Sequence, residues 1–355
     1  MGRVSAATRH GLSAALKAER SVVRGFARLP DSVVARLGRH APVNRDGETL
    51  SPEIAVALRV MNRIPGGDFT QHPVEQARRM LTDEALVFAD VFPDFAVEED
   101  LVIPSAAGPI PATRYRATTE SKGLVLYFHG GGWVLGSRVS TDSAVRFLAL
   151  EAGVDVLSVD YRLAPEHPFP AATEDALAAW DFAVEHAPGW GLDPRRIVVA
   201  GDSAGGNLSA VLAHDLRGRD VVPALQVLLF PVTDLSTKHP SYAEFSEGFF
   251  LTEGHMDWYR ERYLADPADA LVPRASPLLA EDLTGLPPAY VAVAGFDPLR
   301  DEGIAYARRL EEAGVPTTLA REGALIHAFI NITGVSRPAR EATLRIASAI
   351  TAAMA

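Results

Sequence analysis

The chain has 355 residues, of which 48% are hydrophobic and 22% are charged, a composition that excludes an intrinsically disordered protein. It contains no cysteine, which excludes disulfides and thiolate metal sites. The net charge of −11 argues against general nucleic-acid binding, although residues 1–45 carry +7 and the remainder carries −18.

Residues 8–29 are predicted to form an amphipathic helix. Its apolar positions are Leu12, Leu16, Val23 and Phe26, and its basic positions are Lys17, Arg20, Arg24 and Arg28. Packing on the body of the protein is the favoured interpretation, because the helix has only one phenylalanine and no tryptophan to support insertion into a membrane. A weak membrane-surface contact is the alternative. No secretory signal is recognised, so we expect a cytoplasmic protein, with peripheral membrane association as the alternative.

Downstream, the pattern predicts an α/β fold with a mostly parallel sheet covered by helices on both faces. We divide the chain into a basic extension (1–45), a helical segment (46–98), a core (99–235 and 286–355) and an aromatic-rich insertion (236–285). A hairpin is predicted from 101–103 and 110–115, followed by strands at 124–128, 154–159, 197–200, 225–230, 289–294 and 316–320. Helices are predicted at 138–152, 171–186, 204–217, 300–313 and 337–354.

Ser203 is the candidate nucleophile. It lies in a G-x-S-x-G pattern between a buried-strand pattern and a helical pattern. A tight turn from strand to helix strains the serine backbone, and Gly201 and Gly205 remove side chains that would clash there. Such a turn raises the Ser203 hydroxyl above the sheet edge, next to a helix N-terminus that favours developing negative charge.

A glycine-rich segment directly after the strand at 124–128 is the candidate oxyanion hole. Three adjacent glycines let the backbone approach a ligand closely and turn N–H groups toward it, as acyl transfer requires. The predicted donors are the N–H groups of Gly131, Gly132 and Ala204, and we expect His129 and Gly130 to shape the loop. A phosphate-binding loop is disfavoured, because no Lys-Ser/Thr pair follows.

A serine nucleophile needs a base, and the base needs an orienting acid. Among ten histidines, His327 is the best placed, because a predicted loop after the last strand reaches it. Asp297 comes at the carboxyl end of the preceding strand, and the order Ser203, Asp297, His327 is the one this fold class requires. Asp301 is the competing acid, but it lies a helical turn away and is interpreted as structural.

Five segments together resemble those of the bacterial hormone-sensitive-lipase-like esterases of the α/β-hydrolase superfamily. They are 129–132 (His-Gly-Gly-Gly), 160–166 (Asp-Tyr-Arg-Leu-Ala-Pro-Glu), 201–206 (Gly-Asp-Ser-Ala-Gly-Gly), 297–303 (Asp-Pro-Leu-Arg-Asp-Glu-Gly) and 322–327 (Glu-Gly through His327). The resemblance spans about residues 85–350. It implies the α/β-hydrolase fold and cofactor-free hydrolysis of short to medium acyl-chain esters through an acyl-enzyme on Ser203.

The same resemblance implies a cap built from the N-terminal helices and the insertion 236–285. It also suggests a structural Arg162/Glu166 network beneath the site. Aromatic side chains are candidates to line a substrate pocket in the cap, although packing is the favoured interpretation for any single one. They are Trp133, Tyr242, Phe245, Phe249, Phe250, Trp258 and Tyr259.

Three other functions stay open at this stage. The same triad would serve a deacylase acting on an amide, a carbamate or a secondary-metabolite ester. A ligand-binding pseudo-hydrolase is less favoured because all three triad candidates are present, and a peripheral membrane lipase would use the helix at 8–29. No metal site is expected, because no H-E-x-x-H pattern occurs. The expected partner is a small-molecule ester, and a homodimer stays open.

Overall fold

A computed structural model describes residues 13–63 and 67–355. Its centre is one eight-stranded sheet in the order β1-β2-β4-β3-β5-β6-β7-β8. The strands are β1 (Val97–Ile103), β2 (Ile110–Arg116), β3 (Leu124–Phe128), β4 (Asp155–Val159), β5 (Ile197–Asp202), β6 (Leu225–Leu229), β7 (Ala289–Phe296) and β8 (Thr317–Ile326). Strands β3 to β8 run parallel, and the β1–β2 hairpin joins β4 antiparallel. The predicted mostly parallel sheet is confirmed.

Helices cover both faces of this sheet. Those of the described residues are α1 (Ala14–Ala27), α2 (Asp31–Leu37), α3 (Pro52–Met61), α4 (Val74–Phe88), α5 (Asp142–Ala152), α6 (Ala171–His186), α7 (Ala204–Asp215), α8 (Pro240–Glu244), α9 (Glu253–Tyr263), α10 (Arg300–Glu312) and α11 (Arg337–Ala353). Short 3₁₀ helices include Phe69–Gln71 and Phe329–Ile332. Parallel neighbours require such crossovers, which place helices on alternate faces of the sheet.

The alternation of side chains along β3 shows how the two layers are built. Leu124, Leu126 and Phe128 lie in one buried cluster with residues of α6 and α7. Val125 and Tyr127 lie in another with residues of α5 and α11. Because successive side chains of a strand point to opposite faces, a continuously apolar strand has to be covered on both sides.

The last strand is longer than its sequence pattern predicted. β8 runs through the charged and glycine positions 321–323, which were predicted to be loop, and ends at Ile326. These residues pair with β7 as far as Glu322, and after an irregularity Phe296 pairs with Ile326. Pairing with a neighbouring strand therefore outweighed the local loop preference, and His327 follows a strand directly rather than a free loop.

Helix α1 corresponds to the predicted amphipathic helix, of which residues 8–12 lie outside the described residues. Arg20 donates to the carbonyls of Leu86 and Ala89 at 3.1 and 2.8 Å, and Arg24 donates to that of Ala89 at 3.3 Å. These carbonyls lie at the C-terminal end of α4, where backbone acceptors lack helical partners. Arg20 and Arg24 therefore bind the body of the protein, which corrects their predicted place on a solvated basic side.

In the part of the chain that the structure describes, no helix has the length and apolarity needed to cross a membrane.

Asp155 joins the hairpin to the parallel part of the sheet. Its carboxylate is fully buried at the start of β4 and accepts from Arg116 Nε at 2.7 Å and from Arg114 Nη1 at 3.1 Å. Both arginines belong to β2, the strand antiparallel to β4. A buried ion pair that loses one partner is costly, since the remaining charge loses its buried counter-charge.

We expect Asp155→Ala to lower the free energy of unfolding by about 3 kcal/mol, because both arginines lose their buried acceptor. Urea denaturation measures this loss. The control is Glu99→Ala, which removes the exposed partner of Arg114 at 3.2 Å and should cost less than about 1 kcal/mol. Equal losses in the two variants would contradict this account of the hairpin junction.

Candidate active site

The residue predicted as nucleophile occupies a strained turn between β5 and α7. Ser203 has φ 55° and ψ −116°, a conformation that L-residues rarely adopt. Its N–H donates to the Leu229 carbonyl at 2.8 Å, and its carbonyl accepts from Val232 N at 3.3 Å. Hydrogen bonds at and just after the end of β6 therefore hold both the N–H and the carbonyl of Ser203, and they stabilise its strained conformation.

The two glycines that flank the serine are required by close backbone packing. A Cβ at Gly201 would lie 2.3 Å from the carbonyl carbon and oxygen of Gly205, and a Cβ at Gly205 would lie 1.9 Å from the Phe128 carbonyl oxygen. Real Cβ atoms do not approach other atoms so closely. Glycine at both positions therefore lets the first turn of α7 lie against the end of β3.

His327 and Asp297 form a hydrogen-bonded pair at the same edge of the sheet. The His327 Nδ1 atom lies 2.8 Å from Asp297 Oδ2, and Asp297 has no exposed surface. The other carboxylate oxygen of Asp297 accepts from Leu299 N at 2.9 Å. Because a carboxylate only accepts, Nδ1 carries the proton, and the imidazole keeps Nε2 free to act as a base.

The structure brings Ser203, Asp297 and His327 to the carboxyl ends of β5, β7 and β8. Phe230, the residue after the Leu229 that binds the serine N–H, packs its ring edge-on against the His327 imidazole with centroids 4.7 Å apart. The competing acid Asp301 lies elsewhere, paired with Arg300 and Arg45. The three predicted catalytic side chains therefore share one edge, as parallel strands require.

Free backbone N–H groups follow the carboxyl ends of β3 and β5 at this edge. Gly131 and Gly132 have φ of +115° and +59°, so the loop after β3 takes a left-handed course. Within the described ranges, the N–H groups of Gly131, Gly132 and Ala204 have no hydrogen-bond acceptor. Unused backbone donors next to a nucleophile are suited to stabilise an oxyanion, because they need no reorganisation during the reaction.

His129 lies under this loop rather than facing the serine. Its ring is buried and stacks on Tyr161 with centroids 4.2 Å apart, and Nδ1 lies 2.7 Å from the Gly130 carbonyl. The Tyr161 hydroxyl donates to the His129 carbonyl at 2.7 Å. Burial lowers the pKa of His129, so the ring is neutral and Nδ1 donates. These contacts are those of a residue that holds the loop in shape.

Asp202 is a site residue that the sequence reasoning missed. Its Oδ1 atom accepts from Gly130 N at 3.0 Å and from the Tyr127 hydroxyl at 2.8 Å, and burial raises the pKa of this carboxyl. It therefore ties the oxyanion loop to the turn that carries the serine. The available signal was an acidic residue in the variable position directly before the serine of the G-x-S-x-G pattern.

The aromatic residues predicted to line a pocket lie in different surroundings. Trp133 has no exposed surface and stacks on Tyr263 with centroids 4.0 Å apart, so its predicted pocket role is not supported. Phe249 packs on Phe296 at 5.5 Å, and Phe250 is half-buried beside the same cluster. Trp258 is buried, with Arg262 over its ring at 3.9 Å.

Tyr259 of α9 covers the oxyanion loop. A Cβ at Gly132 would lie 2.2 Å from the Tyr259 ring, so the absence of a side chain at Gly132 lets the ring approach. Phe69, from the N-terminal helical segment, lies 5.5 Å from Tyr259 and 5.4 Å from Trp258, between ring centroids. The N-terminal segment and the insertion therefore meet directly above the loop.

Arg162 and Glu166 have separate partners, which corrects the predicted network. Arg162 Nε donates to Asp175 Oδ1 at 2.9 Å. Glu166 instead receives two bonds from Arg78 of α4, at 2.9 and 2.7 Å. Glu166 therefore fastens the N-terminal segment to the core, a long-range pairing that no local spacing indicates.

Comparison with known proteins identifies relatives that match most of the chain. A family model described as alpha/beta hydrolase fold matches residues 125–331. The carboxylic ester hydrolase LipN of Mycobacterium tuberculosis is 43% identical over 319 residues, which cover 86% of this chain and 84% of LipN. The ethyl acetate hydrolase of Pseudomonas putida is 37% identical and covers 85% of this chain and 98% of its own length.

Solved structures of esterases also resemble this chain. The hyperthermophilic esterase from the archaeon Pyrobaculum calidifontis superposes with a TM-score of 0.80 at 39% identity, covering 86% of this chain and 99% of that esterase. A thermostable esterase from Pseudomonas putida superposes with a TM-score of 0.81 at 34% identity, covering 86% and 98%. At 86% coverage, both matches extend the likeness to residues that precede the 125–331 range.

We expect Asp202→Ala to lower kcat by about 10–100-fold with little change in KM, because Gly130 N loses its acceptor and the oxyanion donors lose their position. Steady-state kinetics on a nitrophenyl ester, with circular dichroism to verify folding, measures this. Asp202→Asn should recover most of the activity, since its amide oxygen still accepts. An Asn variant as impaired as the Ala variant would show that the role described for Asp202 is wrong.

Proposed function

The chain belongs to the hormone-sensitive-lipase-like family of α/β hydrolases and is a carboxylic-ester hydrolase, and we propose that it cleaves short to medium acyl-chain esters through an acyl-enzyme on Ser203. One observation carries the proposal. A buried Asp297–His327 pair, 2.8 Å apart, lies at the same sheet edge as a strained serine surrounded by unused N–H groups.

In the first half of the proposed reaction, Ser203 Oγ attacks the ester carbonyl carbon while His327 Nε2 takes its proton. Asp297 holds the imidazole in the required tautomer and stabilises the imidazolium that forms. The N–H groups of Gly131, Gly132 and Ala204 bind the carbonyl oxygen as it becomes anionic. His327 then returns the proton to the alcohol oxygen, the C–O bond breaks, and the alcohol leaves.

In the second half, water replaces the alcohol. His327 removes a proton from the water, which attacks the acyl carbon held on Ser203 and forms a second oxyanion at the same N–H groups. Collapse of this intermediate breaks the bond to Ser203 Oγ, which regains its proton from His327, and the carboxylic acid departs. The imidazole has to be neutral at the start of each half, because in each half it acts first as the base.

The preference for short to medium acyl chains is supported by how the space above the loop is closed. We assign the N-terminal helices and the insertion 236–285 to a cap, since Phe69 and Tyr259 meet there at 5.5 Å. A ring lying on Gly132 limits the room next to the carbonyl. One relative is an ethyl acetate hydrolase, whose substrate has a two-carbon acyl group.

We expect Ser203→Ala to lower kcat/KM for a nitrophenyl butyrate by at least about 10³-fold and to abolish labelling by a fluorophosphonate, since the nucleophile is lost. Ser348→Ala is the control, because its hydroxyl bonds only to the Leu344 carbonyl on the exposed side of α11. Near wild-type hydrolysis by Ser203→Ala would eliminate this mechanism.

Nitrophenyl esters from C2 to C16 test the acyl-chain part of the proposal. We expect kcat/KM to peak between about C2 and C8 and to fall by at least about tenfold at C16, because the cap rings restrict the acyl channel. Tyr259→Ala should shift the profile towards longer chains. A profile that rises steadily to C16 in the wild type would refute the short-chain assignment while leaving the acyl-enzyme mechanism untouched.

A further inference from the structure

Strands β7 and β8 lose their regular register just before they end at the acid and the base of the site. Regular pairing stops at Ala294 of β7 and resumes with Phe296 opposite Ile326, a step of two residues on β7 and of four on β8. One residue of β7 therefore lies opposite three residues of β8, which makes a β-bulge. A bulge bends a strand and re-aims the side chains that follow it, which here are Asp297 and His327.

The backbones of the two strands touch inside this bulge. A Cβ at Gly295 of β7 would lie 2.1 Å from the Gly323 carbonyl oxygen of β8, so this approach requires glycine. A Cβ at Gly323 would in turn lie 2.6 Å from Oε1 of Glu48. Glu48 belongs to the N-terminal segment, so a part of the chain that is distant in sequence lies directly on the bulge.

The residues of the N-terminal segment at this contact, 44–48, form a tight turn organised by Asn44. The Asn44 N–H donates to the Glu48 carbonyl at 3.0 Å, and the Asn44 carbonyl accepts from Gly47 N at 3.0 Å. The side-chain oxygen Oδ1 of Asn44 accepts from Asp46 N at 3.1 Å and from Glu48 N at 2.9 Å. Because this oxygen receives two backbone N–H groups, Nδ2 is the donor side of the amide.

That amide nitrogen connects the turn to the bulge. Nδ2 of Asn44 donates to the Gly295 carbonyl at 3.0 Å and to Oε2 of Glu48 at 2.7 Å. Arg300 Nη1, from α10, donates to the same Gly295 carbonyl at 3.1 Å. A carbonyl oxygen has two lone pairs, so side chains from outside the sheet satisfy it. Asn44 itself is buried, and both hydrogens and both lone pairs of its amide are used.

A second bond from the same segment holds the β8 side of the bulge. Ser51 N, at the N-cap of α3, donates to the Ala324 carbonyl at 2.9 Å. Ala324 lies three residues before His327, and Gly295 lies two residues before Asp297. One short segment therefore binds the backbone of both strands immediately before the acid and the base.

We propose that Asn44 is a positioning residue of the active site, which holds the β7–β8 bulge in the shape that brings Asp297 Oδ2 to 2.8 Å from His327 Nδ1. The inference rests on the proposed esterase mechanism and adds to it a residue whose amide is wholly engaged within the protein. Without the donor to Gly295, that carbonyl and the residues after it can shift, and small displacements of catalytic groups cost much of the rate. The loss falls on kcat rather than on KM, because no contact with the substrate is removed.

A role confined to the turn makes a different prediction. Aspartate forms the same kind of turn as asparagine, because the turn needs only the side-chain acceptor. Asn44→Asp therefore keeps the acceptor for the backbone N–H groups and removes the donor to Gly295. Its new carboxylate also faces Glu48, so it is combined with Glu48→Gln, whose amide can donate to it. This double variant restores the bond inside the turn and the net charge, while the Gly295 carbonyl still lacks its donor.

We expect Asn44→Asp to lower kcat for nitrophenyl butyrate by about tenfold relative to the wild type, with KM changed by less than about twofold. The double variant should show the same loss relative to Glu48→Gln alone, the reference for the lost contact of Glu48 with Arg321 at 3.4 Å. Rates are expressed per active site titrated with a fluorophosphonate, so that a smaller folded fraction does not imitate a lower kcat. The double variant carries the test if Asn44→Asp alone does not fold.

Asn62→Ala is the matched control. It removes a bond of the same kind from the N-terminal segment, from Asn62 Nδ2 to the Gly248 carbonyl at 3.0 Å, which does not reach β7 or β8. Its kcat should stay within about twofold of the wild type. An equal loss in Asn62→Ala would trace the effect to a loosened segment and would overturn the proposal. Full recovery of kcat in the double variant would overturn it as well, because Asn44 would then act only within its turn.

The hydrogen bond between acid and base gives a second reading that needs no substrate. The proton on His327 Nδ1 resonates at low field when a short hydrogen bond holds it, and His327→Ala identifies the signal by its absence. We expect this resonance to move upfield, or to be lost by exchange with water, in Asn44→Asp and in the double variant, and to be retained in Asn62→Ala. A resonance unchanged in the double variant would contradict the positioning role.

These outcomes are distinguishable from a failure of the proposed function. Hydrolysis that persists in Ser203→Ala would refute the acyl-enzyme, whatever the Asn44 variants do. Hydrolysis that depends on Ser203, with kcat and the low-field resonance insensitive to Asn44→Asp, would refute only the positioning role.

Discussion

The close approach of α7 to the end of β3 is the constraint on which the rest of the site depends. A Cβ at Gly205 would lie 1.9 Å from the Phe128 carbonyl oxygen, so the helix begins against the neighbouring strand with no room for a side chain. This packing turns Ser203 outward at φ 55° and leaves the Ala204 N–H free at a helix N-terminus. The positions of the proposed nucleophile and of one proposed oxyanion donor are thus consequences of one contact between backbone segments.

Two buried carboxylates hold the loop and the imidazole in place next to that contact. Asp202 binds the oxyanion loop through Gly130 N, and Asp297 fixes the imidazole of His327. Each carboxyl accepts from donors that would otherwise be left unpaired, and this is the condition under which a buried carboxyl is tolerated.

Both segments that we assign to a cap are fastened to the rest of the protein by contacts between distant residues. The N-terminal segment is fastened to the core by paired hydrogen bonds from Arg78 to Glu166, at 2.9 and 2.7 Å. The insertion meets it through ring contacts of Phe69 with Tyr259 and Trp258. The insertion is also joined to the N-terminal segment by the His255–Asp68 pair at 3.5 Å and to the core by the Glu244–Arg300 pair at 2.7 Å, so polar contacts between distant segments hold both parts in place.

The sequence alone determined the sheet, the chain order of the three proposed catalytic residues and the glycine-rich loop. These depend on local patterns: apolar runs of strand length, glycines at backbone turns, and Ser, Asp and His residues that follow the ends of strands. What only the tertiary structure decided are the pairings between distant segments: Arg78 with Glu166, Asp202 with Gly130, and Arg20 with the end of α4. Side chains brought together by folding leave no periodic trace in the sequence.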